Sequence, residues 1–119
     1  MGDRETTNLL QETVAELKRN GKDSSHVVWV GHRDGSMAIT WAEFEKIADI
    51  DYDAGFGSER VANNLVIVGR NWWLERHEYD GSEWWEFKIK PERKRKSRPF
   101  TVVVNFNYNT HLEEMQPND

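Results

Sequence analysis

Trp72-Trp73-Leu74-Glu75-Arg76-His77-Glu78-Tyr79-Asp80-Gly81-Ser82-Glu83-Trp84-Trp85-Glu86-Phe87 sets two Trp-Trp pairs symmetrically about an Asp-Gly dipeptide. Asp-Gly tolerates the positive φ angles of a two-residue hairpin turn, and its flanks favour extended backbone, so the stretch predicts a β-hairpin. With Asp80 and Gly81 as the loop, residues facing each other across the hairpin have numbers that sum to 161. Successive side chains on a strand point to opposite faces. Trp72, Leu74, Trp85, Phe87 and Ile89 therefore share one face, where Arg76 is the one residue out of character. The other face carries Trp73, Glu75, His77, Trp84, Glu86 and Lys88. The first face reads as core. The second reads as a wet sheet surface bearing large aromatics and two carboxylates directly opposite each other.

Working outward, Gly69-Arg70-Asn71 turns the chain into this hairpin from Leu65-Val66-Ile67-Val68, a short apolar run that predicts a strand buried on both faces. Asp34-Gly35 predicts a second hairpin between the stretch at 27–30 and Met37-Ala38-Ile39. Thr40-Trp41-Ala42-Glu43 matches the capping box that opens a helix, and Phe44, Ile47 and Ala48 give that helix an apolar stripe. Leu9, Leu10, Val14 and Leu17 recur at helical spacing, with Thr6 or Thr7 as the N-cap and Asn20-Gly21 as the stop. Residues 49–57 read as loop, running into a helical turn at 58–63, and Phe100-Thr-Val-Val-Val-Asn-Phe106 predicts a sixth strand. The fold expected is α+β: a single domain over 1–119, its antiparallel sheet built from hairpins, with two or three helices packed on one face. Residues 1–6 and about 111–119 are expected to be disordered, and 90–99 to form a basic loop.

The length of 119 residues suits one domain with a real core. No apolar run approaches the length of a membrane span, and Met1-Gly2-Asp3-Arg4-Glu5 contains no apolar leader, so a cytoplasmic setting without membrane contact is expected. The absence of cysteine excludes disulfides and thiolate metal sites. Net charge is −5, yet residues 88–98 hold seven basic residues against Glu92, a local balance of +6. The remainder of the chain therefore carries −11 and repels polyanions, whereas this one segment attracts them.

Two motif-like stretches fail on chemistry. Asp49, Asp51 and Asp53 open like a calcium loop, but the glycine and bidentate glutamate positions are Ala54 and Arg60, and a cation there would repel the ion. Gly55-Phe-Gly57-Ser-Glu-Arg60 begins like a dinucleotide fingerprint, but Arg60 replaces the third glycine and no βαβ pattern surrounds it.

Three functions compete for the outer hairpin face. The favoured one is a non-catalytic interaction or accessory protein that binds a protein partner, or a second copy of itself, through Trp73, Trp84, Glu75, His77 and Glu86. Adjacent tryptophans on a strand cannot share one face, so one of each pair needs separate cover, and exposed Trp is a common interface anchor. The alternative is nucleic-acid binding by the basic loop beside those indoles, using Lys90, Arg93, Lys94, Arg95, Lys96 and Arg98 for salt-sensitive backbone contacts. The third is a metal-dependent or acid–base enzyme at Glu75, His77 and Glu86, which needs a cation or a carboxyl of raised pKa. The chain contains no serine elbow, phosphate loop or paired-histidine helix, so no catalytic residue, metal ligand or cofactor is assigned and an enzyme is not the favoured reading.

The stretch Ile39-Thr-Trp-Ala-Glu-Phe-Glu-Lys-Ile-Ala-Asp49, the following Asp51-Tyr-Asp-Ala-Gly-Phe-Gly57 and the tryptophan hairpin resemble small proteins encoded by bacteriophages and prophages. The resemblance covers roughly residues 26–90 and contains no motif of known chemistry. It implies a bacterial or phage source and a cytosolic role, and it carries over no catalytic or binding residue.

Overall fold

The computed structural model describes residues 6–55 and 57–117. β1 (Thr7–Asn8) leads into α1 (Leu9–Arg19), followed by β2 (Trp29–His32), β3 (Ala38–Ile39), α2 (Trp41–Ala48), β4 (Asp51–Tyr52), β5 (Leu65–Val68), β6 (Trp72–Tyr79) and β7 (Ser82–Ile89). Five strands form one antiparallel sheet in the order β3-β2-β5-β6-β7, and β1 pairs with β4 in a separate ribbon. The architecture is α+β, as the hairpin signals and helical stripes predict.

The register of β6 and β7 follows from the turn. Asp80 and Gly81 have φ of 51° and 85°, the double positive φ of a tight hairpin loop, and Leu74 faces Phe87 while Glu75 faces Glu86. The Lys90 amide donates to the Asn71 carbonyl at 2.7 Å, carrying the pairing one rung beyond the strands.

Helix α1 departs from expectation at two points. Its N-cap is Asn8, whose Oδ1 accepts from the Gln11 amide, and not Thr6 or Thr7. Thr7 pairs with Tyr52 and Asn8 with Asp51, while the Asn8 amide nitrogen donates to Asp49 and Asp51, so the chain stays extended up to the cap. The buried stripe runs through Leu9, Thr13 and Leu17, and Val14 is largely exposed. Thr13 can be buried because its hydroxyl donates to the Leu9 carbonyl and accepts from the Trp85 indole N–H at 2.9 Å. In α2 the reciprocal Thr40–Glu43 cap forms as predicted, and Phe44 and Ala48 are buried, whereas Ile47 is exposed.

The core joins Leu9, Leu17, Phe44 and Ala48 of the two helices to Val30, Ile67, Trp72, Leu74 and Trp85 of the sheet. The sheet residues share one face by their register, so both helices cover that face. Arg76 lies in this core with a fully buried side chain. It reaches Glu83 at 2.9 Å, the Tyr52 hydroxyl at 3.0 Å and Glu12 at 3.3 Å, with its guanidinium 4.7 Å from the centre of the Trp85 ring. Burial would lower the Arg76 pKa, but Glu12, Tyr52 and Glu83 outweigh it and hold the guanidinium charged. Burial, reinforced by the hydrogen bond to Glu12, pushes the Tyr52 phenol well above its usual value.

Four local expectations are corrected. Within 49–57, read as loop, Asp51–Tyr52 forms β4, because Thr7–Asn8 offers it an extended partner. Residues 58–63 form no helical turn, and Glu83 instead receives the Arg60 and Val61 amides on its carboxylate, pinning that loop to the sheet. Residues 100–106 form no strand. Folding them back onto β7 would require a reversal through 90–99, where two prolines and like charges favour an extended linker. Beyond His111, where disorder was expected, Leu112–Glu114 forms a 3-10 turn. The expected disorder at 1–5 and at 118–119 lies outside the described residues.

Candidate binding face

The sheet face opposite the helices is built by strand alternation. Along one row Trp29, Val68, Trp73 and Lys88 are in register, and along the next Gly31, Val66, Glu75 and Glu86. His77 and Trp84 face each other one rung further along β6 and β7. Trp73 and Trp84 thus stand on either side of the Glu75–Glu86 rung rather than touching as one aromatic patch.

Trp72 and Trp85, the inward member of each Trp pair, are buried. Trp73 is half-buried, and Trp84 is exposed at 36% of its surface, so the outward members escape burial under the helices. The arrangement matches the steric rule that adjacent strand residues diverge. Sequence reasoning missed Trp29, Val66 and Val68 as members of this face. Their alternation was visible, but the pairing of β2 with β5 joins segments some 35 residues apart and leaves no local signal.

Two glutamates opposite each other on a sheet repel. Four donors offset this. The Trp73 indole N–H donates to Glu75 at 2.7 Å and the Trp84 indole N–H to Glu86 at 3.1 Å. His77 Nε2 lies 2.7 Å from Glu75 and 3.4 Å from Glu86, and Lys88 Nζ is 3.2 Å from Glu86. Arg76, on the opposite face, takes no part. For Glu75, burial would raise the carboxyl, but the Trp73 and His77 hydrogen bonds with the charges of His77 and Lys88 hold it below the ordinary range. Glu86 is lowered as well, first by the Trp84 hydrogen bond.

Neither Glu75 nor Glu86 is a raised carboxyl of the kind that a general acid at neutral pH uses. Among the described residues no group of three or more His, Asp or Glu side chains is arranged to hold a metal ion. The face is a mosaic in which each indole donates a hydrogen bond to a carboxylate along its own strand.

Because both carboxyls are held below their unfolded value, their stabilisation is fully present above the ordinary glutamate range and is lost as pH falls from that range through their lowered folded-state values. Tryptophan emission should therefore shift on acidification below that range, before global unfolding. Glu75→Gln with Glu86→Gln should remove this transition; an unchanged transition in the double variant would show that the indoles do not report these carboxylates.

The basic residues fall elsewhere. Lys88 stands beside Trp73 on this face, but Lys90, Arg93, Lys94, Arg95, Lys96 and Arg98 are exposed on the segment that leaves the sheet. Arg93 Nε donates to the Ser97 hydroxyl within that segment. Among the described residues no helix is long and apolar enough to cross a membrane. Compared with models of known protein families, with curated proteins and with solved structures, the chain matches none.

Proposed function

We propose that the chain is a non-catalytic interaction protein that docks a protein partner on the outer face of β6 and β7. The observation that carries this reading is the pair Trp73 and Trp84: both lie on the face that neither helix covers, each oriented by its own glutamate. A tryptophan locked by a hydrogen bond loses little conformational freedom on binding, which favours its use as an anchor. The face is a sheet surface rather than a cleft, and it alternates apolar rings with charges. That suits a protein surface better than a small substrate, which is normally enclosed. The role belongs to an accessory factor, and the resemblance over 26–90 supports a phage or prophage setting in the bacterial cytoplasm.

Trp73→Ala and Trp84→Ala should leave cooperative unfolding in place, since neither residue belongs to the core cluster. Each should weaken partner binding by roughly 30-fold, the effect of about 2 kcal/mol at an interface anchor. A partner recovered on immobilised wild type from a bacterial lysate, then purified and titrated against the three proteins, provides the measurement. Equal affinity for wild type and both variants would move the docking surface elsewhere.

A further inference from the structure

The segment that leaves the sheet carries a proposal that does not depend on the tryptophan face. In the run from 90 to 98, Lys90, Arg93, Lys94, Arg95, Lys96 and Arg98 stand against Glu92 alone, and all six are exposed. The chain holds 21 acidic residues, yet the Lys and Arg ion pairs among the described residues engage Arg19, Arg76 and Lys88. The six cations of the linker therefore have no carboxylate partner among the described residues. Crowded like charges repel one another, and a polyanion laid along them would relieve that repulsion.

Just beyond the cations the chain displays aromatic rings, Phe106 exposed at 94% and Tyr108 at 99%. The loop that carries them is closed by its own contacts. Gln116 accepts from the Thr101 and Val102 amides and donates to the Val102 and Leu112 carbonyls. Asn105 accepts from the Asn107 amide, and Asn109 donates to the Glu114 carbonyl. The Asn107 side chain, exposed between the two rings, has no partner among the described residues, so its donors and acceptor are free to meet a base edge. No described hydrogen bond or ion pair ties residues 91–117 to the acidic body. The radius of gyration is 18.9 Å, against about 13–14 Å for a compact chain of this length. In a molecule this extended, screening over about 8–10 Å lets the basic run act largely apart from the acidic remainder.

We propose that residues 90–108 bind single-stranded nucleic acid, the six cations meeting phosphates while Phe106 and Tyr108 stack on unpaired bases. Every base has a π-face, so stacking of this kind is tolerant of sequence. A duplex keeps those faces covered and meets the cations alone. In Asn105-Phe106-Asn107-Tyr108-Asn109 the rings alternate with carboxamides. That pattern favours a base, which can hydrogen-bond the amides, over a lipid surface, in which burying them is costly.

Fluorescence anisotropy of labelled oligothymidylate, titrated with the full chain over a range of salt, provides the test. The logarithm of affinity should fall with the logarithm of salt at a slope of about −4, as six phosphate contacts to a single strand require. Charge reversal at Lys94, Arg95 and Lys96 should cut that slope by about half. Phe106→Ala with Tyr108→Ala should weaken binding by roughly 30-fold at unchanged slope, because it removes stacking and leaves the charges. The same double variant should bind a duplex as the wild type does. All five residues are exposed, so the variants should keep the unfolding transition of the wild type. Trp73→Ala should leave oligothymidylate affinity unchanged, which separates this site from the docking face. No binding at low salt, or binding indifferent to the charge reversal, would overturn the proposal. Binding that survives loss of both rings would overturn the single-strand assignment. Cosedimentation with phosphatidylserine vesicles that oligothymidylate fails to displace would place the segment on a lipid surface instead.

Discussion

Arg76→Leu should lower folding stability by about 3–5 kcal/mol, the range for removing one partner of a buried ion pair. The cost comes less from the lost attraction than from what is left behind. Glu83, with 2% of its side chain exposed, would keep its charge with the Arg60 and Val61 amides as its remaining described partners, and Glu12 and Tyr52 would lose their shared cation. The Trp85 ring would lose the guanidinium above it as well. Urea denaturation of the variant provides the measurement, with the slope checked against wild type to confirm that the same surface unfolds. Adding Glu83→Gln should recover part of the loss, because no charge is stranded and the amide oxygen still accepts from one of the two loop amides. A variant within about 1 kcal/mol of wild type would mean that the network is solvated rather than buried.

That network marks the limit of what the sequence discloses. Arg76 interrupts an otherwise apolar face, and the interruption was visible in the hairpin pattern. Its partners were not, because Glu12, Tyr52 and Glu83 come from α1, β4 and β7, brought together only by tertiary packing. The same holds for Thr13. Its place on the helix wheel was legible, but its burial depends on an indole N–H 72 residues away. Where the determinant is local, the reading is sound: Asp80-Gly81 fixes two φ angles and hence every rung between Trp72 and Ile89.

The candidate face divides along the same line. Trp73, Glu75, His77, Trp84 and Glu86 share a face because one turn sets one register. The compensation of the two glutamates was partly foreseeable, since Lys88 lies two residues from Glu86 on the same face. That each indole would donate along its own strand depends on side-chain rotamers, which alternation does not specify. Residues 100–106 fail in the opposite sense. Their strand preference is real, but a strand needs a neighbouring edge, and the linker before them sets where they can go.

The second large effect is expected at Trp72. Trp72→Ala should cost about 3–5 kcal/mol, as large-to-small substitutions of buried aromatics do. Its indole, 3% exposed, stacks on Phe87 at 5.7 Å with the Lys22 ammonium 5.8 Å from the ring centre. Gly69 is the other half of this fit. A Cβ at that position would stand 2.0–2.4 Å from the Trp72 indole atoms, and the ring is held by core and cannot swing aside. Gly69→Ala alone should therefore destabilise by about 1–3 kcal/mol through overpacking. Trp72→Phe alone should destabilise too, by leaving a void where the indole nitrogen and outer ring carbons were. The double variant, Gly69→Ala with Trp72→Phe, should lose less than the sum of the singles, since the new methyl occupies space that the smaller ring vacates. Thermal and urea unfolding of the four proteins closes the cycle. Strict additivity would mean that Gly69 is required for its backbone rather than for the room it gives the indole.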